Sequence, residues 1–335
     1  MIGTYCSNGL IGLWAYRLMG SWAYKPISLL AYIMSFVCIS AADGAFEDVE
    51  LGARPLGMGS AFTAVADDAS AIFWNSAGIA RVHGRELTMS YMELYGLVSY
   101  SSIGYAQRFP LFSSPLTRGD TGGAIGFGLV SSSDVDGVYR EMALALSGAG
   151  EIYRGLNVGA NIKYLTSAAN TGDVKIGNGR GLSLDLGCQY RMWEDLLSLG
   201  ITFQNLVGYV SYNRETVGDI PGQEYSQRPD FSYKVGASIN LGRLLWGSVP
   251  LLESAPALDN ITLAAELSDG DIHIGTECIF WDVVAARAGF RTGNALTRSI
   301  TVGFGLKLSA LRFDYAYVGS EVGSQTSQFS VSINW

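Results

Sequence analysis

The chain has 335 residues, long enough for one large or two medium domains; 48% are apolar and 16% charged, with 42 glycines, 12% aromatics and a formal net charge of −8. The acidic balance argues against nucleic acid as a partner. Two histidines, His83 and His273, are too few for a histidine-based metal cluster, and four cysteines with no CxxC offer neither a disulfide framework nor a zinc site, so no metal and no cofactor is expected.

The first predicted element is an export signal over residues 1–42. Pro26–Ala42 is a short apolar run with Lys25 ahead of it, and its small residues fit cleavage after Ser40 or Ala42. The first eighteen residues are unusual for such a leader, and Met19 is an alternative start. A membrane-anchoring helix is the competing reading, for which the run is slightly short. Cys38 lacks the upstream leucine that lipidation requires. Losing this segment removes Arg17 and Lys25 and takes the charge from −8 to −10. Beyond it no run of about 18 apolar residues exists, so no transmembrane helix accounts for the apolar content. Apolar residues instead recur at alternate positions, as in a transmembrane barrel.

Residues 43–85 do not read as strand. They are small and glycine-rich, then helical, with Asp67 or Asp68 capping a short helix through Ile72 and Trp74 that ends near Gly78. Phe62, Ile72, Phe73 and Trp74 need burial, and the lumen of a following barrel offers it.

From Glu86 onward the period is two. Ile300, Val302, Phe304, Leu306 and Leu308 alternate with Thr301, Gly303, Gly305 and Lys307, and Phe231–Leu241 and Leu156–Tyr164 behave alike. Fourteen strands are expected: 86–95, 98–109, 122–131, 140–148, 155–165, 180–191, 196–205, 230–241, 260–267, 271–280, 283–291, 297–308, 311–318 and 327–335. The fold class is therefore all-β, a transmembrane antiparallel barrel over 86–335 with a short, partly helical plug over 43–85 inside it. An even count places both termini in the periplasm, with long extracellular loops at 166–179 and 206–229 and short turns at 192–195, 281–282 and 309–310. Segments 110–121 and 242–259 are long for that side. The apolar phase slips between Tyr100 and Ile103, which predicts a bulge in the second strand.

Polar positions of the late strands carry Glu266, Glu277, Arg287 and Arg291, expected as ion pairs in the lumen that hold neighbouring strands together. Tyr209, Tyr212 and Tyr225 mark the loop expected to admit a ligand. Ser268, Asp269, Asp271 and His273 read as a capped turn rather than a catalytic set, and no enzymatic activity is expected. In the last segment Phe329, Val331, Ile333 and Trp335 alternate with polar residues; an aromatic end such as Phe329 and Trp335 resembles the signal read by the barrel-assembly machinery, and the segment should pair with the strand near Glu86.

Residues 52–80, GARPLGMGSAFTAVADDASAIFWNSAGIA, resemble the opening of PorV/PorQ-type outer-membrane proteins, a branch similar to the FadL long-chain fatty acid transporters. Gly52, Gly57 and Gly59 stand in the family's glycine positions, the Asp pair and Trp74 follow in order, and Phe62 lies between. Asn75-Ser76-Ala77 occupies the place of Asn-Pro-Ala. AARAGF (285–290), GFGLKL (303–308) and FDYAYV (313–318) extend the likeness to the C-terminal third. It implies a fourteen-stranded barrel in the outer membrane of a diderm bacterium, surrounded by outer-membrane lipids. The N-terminal segment would be a hatch whose rearrangement at Asn75, Ser76 and Ala77 passes a hydrophobic ligand.

The leading expectation is passive uptake of hydrophobic small molecules, namely long-chain fatty acids. The alternative is a PorV-like accessory barrel that binds secretion-system proteins without moving lipid. An open porin conflicts with a plug.

Overall fold

The protein is described by a computed structural model covering residues 50–109, 122–171, 174–193, 195–216, 221–242, 260–293, 298–320 and 325–335. The expected leader, 110–121 and nearly all of 242–259 fall outside these residues. So do the leading residues of the expected plug.

Among the described residues two short helices, α1 (Ala53–Gly57) and α2 (Ala71–Trp74), and a 3-10 helix Ser76–Arg81 precede fifteen strands. These are β1 (Arg85–Leu94), β2 (Val98–Phe109), β3 (Gly123–Asp134), β4 (Tyr139–Tyr153), β5 (Leu156–Thr171), β6 (Val174–Met192), β7 (Leu197–Arg214), β8 (Gln223–Gln227), β9 (Ser232–Asn240), β10 (Ile261–Ser268), β11 (Asp271–Phe280), β12 (Val284–Arg291), β13 (Ser299–Leu308), β14 (Leu311–Ser320) and β15 (Gln325–Asn334). Fourteen form one closed antiparallel barrel; β8 pairs only with the far end of β7. Closure comes from β1 against β15, in register from Glu86↔Asn334 to Glu93↔Ser327, so neither end strand keeps a free edge.

Alternation decides which side chains face in. Ile300, Val302 and Phe304 are 65%, 50% and 53% exposed, whereas Thr301 between them is 0% exposed. Glycine and small polar residues point inward throughout, so the interior is packed with polar atoms and the outside is an apolar band. Two-residue turns join many strands. Asp269-Gly270, between β10 and β11, takes positive φ at both residues, the geometry that matches the twist of flanking antiparallel strands.

Three sequence expectations change. The segments 166–179 and 206–229 are largely strand rather than loop: β5, β6 and β7 run to 16, 19 and 18 residues and rise well beyond the eight to ten residues of β9–β15. Polar residues there continue the ladder because each strand pairs with the next, which a hydropathy period does not register. The second strand has no bulge. Its register with β1 and β3 is unbroken, and the apparent phase slip arises because Tyr100 turns inward against Ala53, Leu56 and Met92. Register shifts lie instead at Glu151/Tyr153, Ala169/Asn170 and Leu184/Leu186. Finally, the Asp pair is divided: α2 begins after Ser70, whose N–H donates to Asp68 Oδ1 at 3.0 Å, while Asp67 and the other Asp68 oxygen are drawn to Arg54.

Candidate functional site

Residues 50–82 fill the lumen. Met58, Phe62, Ile72, Trp74 and Ile79 are each 2% exposed or less and form one cluster with wall residues Ala106, Ala124, Ala145 and Ala264. Phe62 meets Trp74 edge-on at 5.9 Å, and the Trp74 indole N–H donates to the Leu51 carbonyl at 2.7 Å.

A plug without long regular elements leaves many backbone groups to satisfy, and the barrel's inward polar side chains do so. Glu266 accepts from the Phe62 and Thr63 N–H groups at 2.9 and 2.7 Å. Gln189 donates to Thr63 and Ala66 carbonyls, Gln204 to Phe73, Asn161 to Ile72, and Thr301 to Gly57. Ser330 accepts from the Ala53 N–H at 2.8 Å.

Charge ties the other half. Arg54 holds Glu277 through two hydrogen bonds and reaches Asp67 and Asp68 at 2.6 and 3.0 Å. Arg287 joins Glu277 to Asp314, and Arg312 joins Asp314 to Asp68. Arg291 pairs with Glu50. Of the four late-strand charges, Glu277 and Arg287 therefore form a cross-strand pair, but Glu266, Glu277 and Arg291 also grip the plug. The expectation that they only hold neighbouring strands together is corrected. Burial alone would raise the Asp68 carboxyl, but Arg312 and Arg54 outweigh it and bring it down to about 2.

Where the plug touches the wall, glycine lets backbone lie on backbone. A Cβ at Gly275 would sit 2.0 Å from the Met58 carbonyl oxygen, and one at Gly289 2.2 Å from the Gly59 nitrogen. Gly59 itself has φ +62 and packs beside Gly57, which lies 3.0 Å from Gly303 by the same measure; Gly52, φ +108, opens α1. Asn75 ties together both halves of the plug and the wall. Its amide donates to the Thr63 and Cys188 carbonyls while its oxygen accepts from the Ala77 N–H. Ser76 and Ala77 rest on Gly159 and Gly187.

Above the plug, on the side away from the chain end, lies a cavity of about 80 Å³. Leu51, Ile72 and Phe73 floor it, and Tyr100, Val130, Ala143 and Leu165 supply apolar walls. One side is polar: Lys163 pairs with Asp185 at 2.9 Å, and Asn161 donates to the same carboxylate at 3.1 Å. A second cavity of about 270 Å³ lies on the opposite side of the plug, against Arg54, Asp67, Asp68 and Arg312.

The wall beside the upper cavity is interrupted. Pairing of β7 with β9 ends at Gln204↔Ser232, and β7 resumes with β8 at Val210↔Gln227. On the other flank β6–β7 shifts register between Leu184 and Leu186. Asn205, φ +52, spans the gap: its N–H donates to Asp185 at 2.7 Å and its amide to the Asp230 carbonyl at 2.7 Å. Sequence reasoning missed this residue, since an asparagine in a run of alternating residues carries no mark of a broken ladder.

The three tyrosines divide. Tyr212 and Tyr225 face each other across β7 and β8 with rings stacked at 5.0 Å, and Tyr212 packs on Leu165 and Val210. Tyr209 points outward, 57% exposed. At the chain end Trp335 exchanges backbone hydrogen bonds with Arg85 and lies against Tyr105, while Phe329 sits outside between Tyr91 and Tyr315. His273 is inward and buried, whereas Asp269 is spent on the Ser232 hydroxyl and Tyr233 N–H, a structural turn.

No protein-family model matches this sequence, and no curated protein matches it. Solved structures do. The chain resembles the Ralstonia pickettii toluene transporter TbuX, with TM-score 0.55 and 14% identity over 86% of this chain and 98% of that one. The toluene transporter TodX of P. putida gives TM-score 0.56 and 11% identity over 86% and 99%. A FadL homologue from Pseudomonas aeruginosa gives 0.54 and 12% over 88% and 99%. At such identities the shared property is the fold, a FadL-like barrel.

Proposed function

We propose that this chain is an outer-membrane barrel that admits small hydrophobic molecules passively and releases them sideways through its wall. The observation that carries the reading is the juxtaposition at Asn205: a largely apolar cavity on the plug opens beside the one stretch where β7 loses β9 before gaining β8. A plug seated backbone-on-backbone against glycines is a poor moving part, which favours an exit beside it over an exit through it.

The cavity, about 80 Å³, is far too small for a full acyl chain and about half of the roughly 150 Å³ that holds benzene in a protein interior, so a compact ligand would enter only as the side chains around it give way. Toluene is what two of the structural neighbours are described as carrying. The fatty-acid expectation becomes the secondary one. The band of exposed Leu146, Ile162, Val302 and Phe304 is the surface a bilayer would cover, with residues 1–42 removed on export, both termini periplasmic and Phe329–Trp335 read by the assembly machinery.

The test is uptake into proteoliposomes of labelled toluene and, in parallel, oleate. Saturable toluene entry that falls when Asn205 and Asp230 are cross-linked as cysteines supports the proposal. Non-saturable entry, equal with and without protein, sinks it. The PorV/PorQ-like reading, in which the barrel docks secretion proteins, would be favoured by pull-down of such partners from its own envelope with no hydrophobic ligand copurifying; the fixed plug is what recommends it.

A further inference from the structure

The outer face of β3–β7 changes character between two adjacent rows of the barrel. One row across the strands reads Leu129, Leu144, Tyr164, Leu182 and Tyr209, all outward and apolar. The next, toward the hairpin end, reads Ser131, Met142, Thr166, Arg180 and Ser211, and the one beyond places Arg140 beside Ala168 and Asn178. Arg140 and Arg180 thus flank β5 on one face, their Cα atoms roughly 10–12 Å apart from strand and residue spacing. Thr166 and Ala168 between them are short, and a groove of about 580 Å³ runs over this ground, lined also by Ser131, Tyr164 and Asn178.

Both guanidiniums are exposed, and neither has a hydrogen-bond or ion-pair partner among the described residues. The arginines of the plug and those facing inward differ from these two. Arg54, Arg81, Arg191, Arg287, Arg291 and Arg312 are each paired with a carboxylate. The groove's single carboxylate, Glu141, belongs to the inward set of β4 and already accepts the Tyr139 hydroxyl at 2.8 Å. Two unneutralised cations on a chain of net charge −8, set one row past the apolar band, are placed to meet an anion at the depth where acyl chains give way to headgroups.

We propose that the Arg140–Arg180 groove binds the phosphate of a lipid headgroup in the leaflet at the hairpin end. The acyl chains would lie along Leu144, Tyr164 and Leu182, while Asn178 and Thr166 offer hydrogen bonds between the two guanidiniums. The proposal rests on the bilayer-spanning part of the reading above and is independent of what the lumen carries.

The test is native mass spectrometry of the full chain released from bilayers of equal phosphatidic acid and phosphatidylcholine with identical acyl chains. The native protein should retain phosphatidic acid roughly ten- to thirtyfold over phosphatidylcholine, the yield of two cations at a membrane surface. R140Q/R180Q should bring the ratio near one, and R154S, an exposed arginine in the turn at the other end, should leave it unchanged. Folding of each variant is read from its mobility on unheated gels; if the double variant does not fold, R140Q and R180Q singly should each lower the ratio. Equal retention by the native protein, an unchanged ratio in the variants, loss of preference in R154S, or displacement of phosphatidic acid by equimolar inorganic phosphate would each overturn the proposal. Lipid preference without toluene uptake would end only the transport reading, and a protein that enters no bilayer would end both.

Discussion

Arg54 and Glu277 stand 223 residues apart and meet through two parallel hydrogen bonds, Nε to Oε1 and Nη2 to Oε2, both 2.9 Å. The first residue belongs to α1 in the plug and the second to β11 in the wall. Around them Asp67, Asp68, Arg287, Arg312 and Asp314 complete a chain of alternating charge, so each group's burial is compensated by its neighbours.

Removing one member leaves the others buried without a counter-charge. Arg54→Met should therefore cost about 3–5 kcal/mol, felt first as release of the plug. Limited proteolysis of the folded barrel is expected to cut within residues 50–82 in the variant and not in the native chain. A variant as resistant as the native protein would show that the pair is dispensable for holding the plug.

Acid should act at the same place. Burial disfavours the Asp68 charge, yet Arg312 and Arg54 hold its carboxyl at about 2, below the usual 3.8. The folded pKa is the lower one, so its contribution is complete above about pH 4 and disappears as pH falls toward 2. The amide protection factors of the plug, that is exchange relative to the intrinsic rate at each pH, should fall through that interval. Asp68→Asn should exchange faster at pH 7 and show a flatter response between pH 4 and 2.

Glycines under the plug should be far less replaceable than glycines elsewhere. Gly275→Val would drive a side chain onto the Met58 carbonyl, whereas a Cβ at Gly148 meets nothing within 4 Å. The first change should exceed the ~1–3 kcal/mol of ordinary overpacking, because backbone cannot step aside. Gly148→Val should be close to neutral. Urea titration of both variants beside the native chain separates the two outcomes.

Ser76→Pro introduces the proline of the Asn-Pro-Ala pattern that residues 75–77 resemble. Ser76 opens the 3-10 helix, a position where proline's fixed φ fits, and Asn75 before it is extended with φ −151 and ψ 102, as the residue preceding a proline prefers. The present turn is held instead by the Asn75 oxygen accepting from Ala77 N–H. The substitution should stabilise by about 0.4–1 kcal/mol, read as a small rise in the thermal midpoint. A fall would mean that the proline ring collides with the wall at Gly187.

Alternation along the chain was enough to place fourteen barrel strands, to send Thr301 inward and Phe304 outward, and to pair the last strand with Glu86. That follows because a strand's period of two is local and needs no knowledge of its partner. The polar interior and a buried segment ahead of the barrel were legible for the same reason. What the inward charges hold was not. Glu266 and Glu277 look alike in sequence, yet one accepts backbone N–H groups of Phe62 and Thr63 and the other grips Arg54, because only the folded plug determines which group arrives opposite each. Tyr100 reads as a phase slip until the plug gives it something to pack on. Asn205 reads as an ordinary strand residue until the β9 ladder stops beside it. Each of these depends on contacts between residues distant in the chain, and such contacts exist only once the barrel has closed around its own N-terminal segment.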